Sequence, residues 1–176
     1  EKTLALLEQS LELNIPILVE KPVSFHSEKL EPFLVNDLPV IVGYNRRFYR
    51  PVEVARAEVG DSNPIMAHLA IPESINHPVK LEDDPKYLMP FYANSVHGLD
   101  LTRYIFGDLK LDSTNRLFRE DGVLLGVAAN LTTLRGDQIQ FTGNWSTPAN
   151  FSLSIDQPGR RFDLRPFEMA TIYEGF

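Results

Sequence analysis

Leu18-Val19-Glu20-Lys21-Pro22 is the stretch on which the reading of this chain turns. Ile17-Leu18-Val19 is continuously apolar, which suits a parallel strand covered on both faces. Three residues are too few for periodicity alone to exclude a buried helical turn. The run meets an acid and a base and is stopped by proline. Lys21 therefore lies at the carboxyl end of a strand, where open α/β sheets place their ligands. Upstream, Leu4, Leu7 and Leu11 fall on one helical face with Leu6 and Leu13 flanking it, and Asn14 and Pro16 mark the helix end. Downstream, Ser24 or Ser27 is placed to cap a second helix through Leu30, Phe33 and Leu34, which Pro32 must bend or shorten. Val40-Ile41-Val42 is a further short strand entering Gly43-Tyr44-Asn45-Arg46-Arg47-Phe48. Helix, strand, helix, strand is the rhythm of a doubly wound sheet. Two strands do not make such a sheet alone, so residues 1–45 are expected to be the tail of a Rossmann-like domain whose front half lies upstream.

Residues 46–176 carry a different pattern. Pro51 opens a helix through Val52, Val54, Ala55 and Val59, and Ile65 to Ile71 is a strand. Residues 72–90 form a long loop with several prolines and the acids Glu82, Asp83 and Asp84, which are expected to be solvated. Asn94 or Ser95 is expected to cap a helix running to Phe106, with Gly107 as its stop. The apolar residues of that helix spread around its circumference, so it should be largely buried and its His97, Asp100 and Arg103 should meet protein or ligand. Asp100 is expected to hold the helix in place through Arg103 or a backbone donor.

From Leu109 onward the period becomes two. Val123/Leu125/Val127, Ile139/Phe141, Phe151/Leu153/Ile155, Phe162/Leu164 and Ala170/Ile172 alternate between turn signals at Asp121-Gly122, Arg135-Gly136-Asp137, Pro148 and Pro158-Gly159. Strands joined by short turns predict an antiparallel meander. Helices before strands predict an α+β domain, a large open, mostly antiparallel sheet covered by helices on one face. The other face is then solvated or covered by a partner, with Trp145, Phe141 and Tyr173 as interface candidates; ordinary core aromatics are the alternative.

Composition narrows the function classes. The 176 residues carry a net charge of −7, with no basic face beyond Arg46-Arg47 and Arg160-Arg161, which argues against a nucleic-acid partner. There is no cysteine, hence no disulfide framework and no thiol nucleophile. No apolar run approaches the roughly 20 residues that span a bilayer, and a cytoplasmic location is the default expectation. His26, His68 and His77 lack metal-ligand spacing, so no metal site is assigned. The chain opens without methionine inside a helical pattern and is expected to be a fragment.

Val19 to Pro22, Gly43 to Pro51 and Asn94 to Gly107, including His97-Gly98-Leu99-Asp100-Leu101, resemble in order and spacing the glucose-fructose oxidoreductase / inositol dehydrogenase / rhizopine-catabolism family (Gfo/Idh/MocA). The resemblance covers nearly the whole chain, although the strands after 109 match only in style. It implies an NAD(P)-dependent oxidoreductase of sugars, inositols or related polyols, with an N-terminal Rossmann domain and a C-terminal α+β domain whose open sheet often forms the oligomer interface. Lys21 matches the active-site lysine of the family's Glu-Lys-Pro motif, and His97 its active-site histidine. Glu20 and Pro22 are implied to shape the nicotinamide end of the cofactor pocket, with a cis bond before Pro22. Asn45 and Arg46 fall in the segment lining the domain junction. Arg46 is then a cofactor contact, and Asn45, Asn94, Lys21 and His97 are substrate contacts.

The chemistry is coherent. A His near its ordinary pKa of about 6.5 takes a hydroxyl proton at neutral pH, and an ammonium stabilises developing charge on the same oxygen. One departure stands out. Family dehydrogenases commonly carry aspartate four residues before the helix histidine, and that position is Ala93 here. Proton transfer is then left to Lys21 and His97, or the chain is a non-catalytic member serving ligand binding or dimerisation. No Gly-x-Gly-x-x-Gly is present, so the main NAD or NADP phosphate cradle is not in this chain, and residues 1–176 alone are expected to bind cofactor weakly and to be inactive.

Overall fold

Leu4 and Leu7 are the buried stripe of helix α1 (Lys2–Leu11), and they pack with Val19 and Val23 into a small core. In the computed structural model, which describes residues 2–34, 38–59, 63–74 and 91–175, this core belongs to the first of two compact units, Glu1–Tyr44 and Asn45–Phe176. Asn14 ends the α1 segment at φ 52°, a left-handed conformation asparagine tolerates better than most side chains. Strand β1 (Ile17–Val19) pairs in parallel with β2 (Val40–Val42), in the register Ile17 to Val40 and Val19 to Val42.

Two expectations need correction here. The strand pair is not covered on both faces. Leu18 and Ile41, partners in register, are 76% and 58% exposed, because alternation turns them away from the α1 side. The second helix is a 3-10 helix, Ser27–Phe33, with Pro32 inside it and no side-chain cap. Ser24 Oγ instead accepts the His26 N–H at 3.0 Å, a local turn that competes with a cap.

The second unit begins with a 3-10 turn, Asn45–Phe48, and helix α2 (Arg50–Val59), where Pro51 sits in the first turn and needs no N–H partner. Strand β3 (Met66–Pro72) is followed, after residues 75–90, by a π-helical turn (Phe91–Ser95) and helix α3 (Val96–Phe106). The loop acids Glu82 to Asp84, and His77, lie outside the described residues. Strands β4 (Leu109–Phe118), β5 (Leu124–Thr133), β6 (Gln138–Asn144), β7 (Ser152–Gln157), β8 (Arg160–Leu164) and β9 (Ala170–Glu174) complete the unit.

The seven-stranded sheet runs β4-β5-β6-β3-β7-β8-β9. It is mostly antiparallel, as expected, but it is not one meander. β3 lies between β6 and β7, parallel to the first and antiparallel to the second. Leu69 and Ile71 of β3 are fully buried, which requires neighbours on both sides, and β3 takes the central place. Its helix-facing Ala67, Leu69 and Ile71 join Ile139, Phe141, Leu153, Ile155, Phe162 and Leu164 in a core closed by Val52, Ala55 and Val59 of α2 and Leu101 and Ile105 of α3.

The opposite face carries mostly polar side chains, with Met66, Leu117 and Tyr173 exposed among them. Asn130 donates to Ser113 at 2.9 Å, Ser154 to Asp163 at 3.0 Å, and Arg161 Nη1 to Asp156 at 2.9 Å. Phe141 and Trp145 are therefore not interface residues on that face. At 3% and 4% exposure they point to the helix side, because Phe141 shares the parity of Ile139. Tyr173 does sit exposed beside Arg161. Asp137, fully buried in the β5–β6 turn, accepts from Ile65 N–H (3.1 Å), Thr133 Oγ1 (2.7 Å) and Arg135 Nη2 (2.9 Å), tying that turn to the start of β3. Among the described residues, no helix is long and apolar enough to cross a membrane.

Candidate active site

The amino end of α3 gathers the polar groups of the second unit. Its first residues continue a π-helical turn, a wide turn that is common at functional sites. Ser95 is already helical (φ −60°, ψ −30°), so neither Asn94 nor Ser95 caps the helix as the sequence suggested. Both side chains are used laterally instead. Buried Ser95 Oγ accepts the indole N–H of Trp145 at 3.1 Å, and Asn94 Nδ2 donates to Glu73 Oε1.

His97 follows three residues after Asn94, in the first turn of α3, and is 8% exposed. Gly98 lets the helix press onto β3 beside it. A Cβ at this position would stand 2.5 Å from Ile71 Cδ1 and 3.1 Å from Leu69 Cδ1. Asp100 is one turn further on. It is held by Arg47, whose Nε donates to Oδ2 at 2.7 Å and whose Nη2 donates to Oδ1. Arg103, the expected partner, instead donates to Asp108 at 2.6 and 2.9 Å, because it lies on the exposed side of α3 beside the helix end. Tyr104 completes the clamp, with the Arg47 and Arg56 guanidinium groups 5.3 and 4.1 Å from its ring centre.

Glu73 escaped the sequence reading. It ends β3, its N–H donates to Asn144 O at 2.7 Å, and its Oε2 is buried with no hydrogen-bond partner among the described residues. The available signal was an acid directly after an apolar strand, the same pattern as Glu20, but it was absorbed into the long loop.

In the first unit, β1 runs into exposed Glu20, half-buried Lys21 and Pro22, and the Lys21–Pro22 bond is cis. Gly43 N–H donates to Val19 O at 2.8 Å at the end of β2. A Cβ on Gly43 would lie 3.5 Å from that carbonyl and 3.8 Å from Glu20 Oε1, so the Glu20 carboxylate stands beside the Gly43 turn. In the second unit, Asn45 is exposed at the start of its 3-10 turn. Arg46 lies over the rings of Phe151 and Phe167, 5.1 and 5.5 Å from their centres. The second unit thus places Asn94 and His97 three residues apart at the start of α3 and packs Arg46 on aromatic core. Among the described residues, no group of three His, Asp or Glu is placed to hold a metal ion.

No protein-family model and no curated protein matches the chain. Solved structures do, and the chain shares the fold of part of several oxidoreductases and dehydrogenases. The chain is similar to a dehydrogenase from Clostridium difficile, at TM-score 0.76 and 15% identity, covering 100% of this chain and 60% of that one. It is similar to an oxidoreductase from Agrobacterium radiobacter solved with NAD+, L-tartaric acid and magnesium, at TM-score 0.73 and 15% identity, covering 98% and 57%. UDP-N-acetylglucosamine 3-dehydrogenase from Acidithiobacillus ferrooxidans aligns at TM-score 0.73 and 15% identity, again covering 98% and 57%. The chain therefore spans less than two thirds of the length of the structures it matches, and at these identities the likeness is one of fold.

Proposed function

We propose that the chain is part of an NAD(P)-dependent oxidoreductase acting on a secondary alcohol of a sugar, sugar derivative or cyclic polyol. The observation that carries this is His97, buried on a helix pinned by Arg47 through Asp100, in a fold shared with dehydrogenases. The first unit is then the end of the cofactor domain. Two parallel strands end together at Glu20 and Gly43, and a side chain at 43 would fill the space beside Glu20. That fits the nicotinamide end of NAD(P), with Glu20, Lys21 and Pro22 as the residues of this unit that would hold it; Arg46 is proposed separately as a cofactor contact, on the family resemblance alone. The phosphates need a glycine-rich loop that this sequence lacks.

When bound, the cofactor supplies the hydride acceptor. His97 takes the hydroxyl proton, the task suited to imidazole at neutral pH. The Lys21 ammonium donates a hydrogen bond to the alcohol oxygen as negative charge develops. Asn94, its amide N–H held by Glu73, has Oδ1 left to accept from a substrate hydroxyl, and Asn45 is a second substrate contact. The open sheet face is proposed as the surface of a homo-oligomer, supported by exposed Met66, Leu117 and Tyr173, in a cytoplasmic enzyme. Alanine at 93 favours a second reading, a ligand-binding or dimerising protein without turnover.

The test is NAD(P)H absorbance across a sugar and polyol panel, using the native polypeptide that carries these residues. Turnover that falls sharply in Lys21→Ala is expected. Turnover that survives the substitution removes Lys21 from the mechanism, and no absorbance change with any substrate refutes the enzyme reading.

A further inference from the structure

Leu99 is two residues from His97, about 200° around the helix, and it faces a hollow that His97 does not line. Tyr92 and Leu99 form one wall of this space, and Val127, Ala129 and Trp145 on the helix side of the sheet form its floor. Its volume is about 390 Å³, within the range of small-molecule sites. The lining is apolar except chiefly for Arg116 of β4, which stands opposite Val127 in register.

Arg116 is unlike its neighbours. Arg119, Arg135, Arg160 and Arg161, on the same sheet and its turns, each hold a carboxylate within 2.9 Å. Arg116 holds none among the described residues, in a chain with 24 acids against 17 bases. Its register partner is a valine, so its cross-strand neighbour offers it no charge either. A guanidinium at the exposed rim of an apolar cavity matches a ligand with an apolar body and an anionic end, since a hydrogen bond between charged groups is stronger than one between neutral groups.

We propose that this hollow is a second binding site, separated from His97 by the width of α3, for an amphipathic anion: an aromatic ring or short alkyl chain bearing a carboxylate or sulfonate. The apolar body lies between Tyr92, Leu99 and Ala129, and the anion meets Arg116. The site does not depend on the oxidoreductase reading, because no group assigned to that chemistry lines it.

Trp145 is the single tryptophan of the chain and lines the cavity, so its emission reports occupancy directly. Anilinonaphthalene sulfonate is the probe, titrated into the 176-residue chain without nicotinamide. Saturable binding with loss of Trp145 emission by energy transfer is expected. Arg116→Gln, on an exposed strand position, should weaken binding about tenfold, the value of one charge-assisted bond. Ala129→Phe, checked for folding by circular dichroism, should abolish it. Sodium decanoate should displace the probe, decanol should need about tenfold more, and inorganic phosphate should not compete. Unchanged affinity in Arg116→Gln overturns the proposal, as does probe binding that leaves Trp145 emission intact or persists in folded Ala129→Phe. A chain that dimerises with concentration and loses probe binding as it does so also overturns it, making the hollow an interface between copies.

Discussion

Replacing Arg47 with methionine leaves the Asp100 carboxylate, whose side chain is only 10% exposed, without its bidentate partner. Breaking a fully buried ion pair from one side costs about 3–5 kcal/mol because a desolvated charge is left behind. The Arg47 side chain is 36% exposed, so water enters where the guanidinium stood, and screening reduces the cost to about 2 kcal/mol. Asp100→Asn is milder. It keeps the shape and one acceptor, and it leaves a hydrated guanidinium that still rests over Tyr104 at 5.3 Å, for about 1 kcal/mol. The double variant carries no stranded charge and should lose about 2 kcal/mol rather than 3, a coupling of about 1 kcal/mol. Urea unfolding of the four proteins, followed by circular dichroism, measures the cycle. Equal losses in the two single variants with strict additivity would refute the reasoning, since burial of Asp100 would then not set the energetics of the α3 clamp.

Gly98→Val should destabilise by about 2 kcal/mol in the same assay, because its branches enter space where even a Cβ meets Ile71 Cδ1 at 2.5 Å; an unchanged midpoint would show that β3 yields freely. Asp137→Ala should cost about 3 kcal/mol or more, since Ile65 N–H and the Arg135 guanidinium lose a fully buried acceptor, whereas Asp137→Asn should recover part of that loss. Asp121 titrates low, at about 2, chiefly through its hydrogen bond from Arg119. Its folded pKa lies below the unfolded value of 3.8, so its small, salt-sensitive contribution is present above pH 3.8 and is lost as pH falls through about 2. An NMR carboxyl titration should show that midpoint, and Arg119→Gln should move it back toward 3.8.

Much of the fold was legible from local pattern. Leu4 and Leu7, the β1 and β2 strands, Pro51 near the start of α2 and Gly107 ending α3 at φ 88° follow from spacing and backbone chemistry. The parity of Ile139 and Phe141 revealed a covered face but not which face a lone Trp145 would take, since it lies beyond β6. The central place of β3 was hidden because strand neighbours are chosen by long-range packing of Leu69 and Ile71, not by sequence order. In the candidate site, His97 and Asn94 were visible as motif positions. The supports of their helix were not: Glu73, which holds Asn94, lies 21 residues before it, and Arg47, which holds Asp100, lies 53 residues before that residue. Asp100 shows the limit well: a partner three residues off on its own helix looked natural, and a bidentate partner from another segment outcompeted it.

The central claim is that His97 moves a proton during oxidation of an alcohol. The most direct measurement is kcat and KM of His97→Gln beside the unsubstituted polypeptide, on whichever sugar or polyol gives NAD(P)H. The account predicts a fall in kcat of about 10²–10⁴ with KM within a few-fold. A kcat that is unchanged in a folded His97→Gln protein would contradict it.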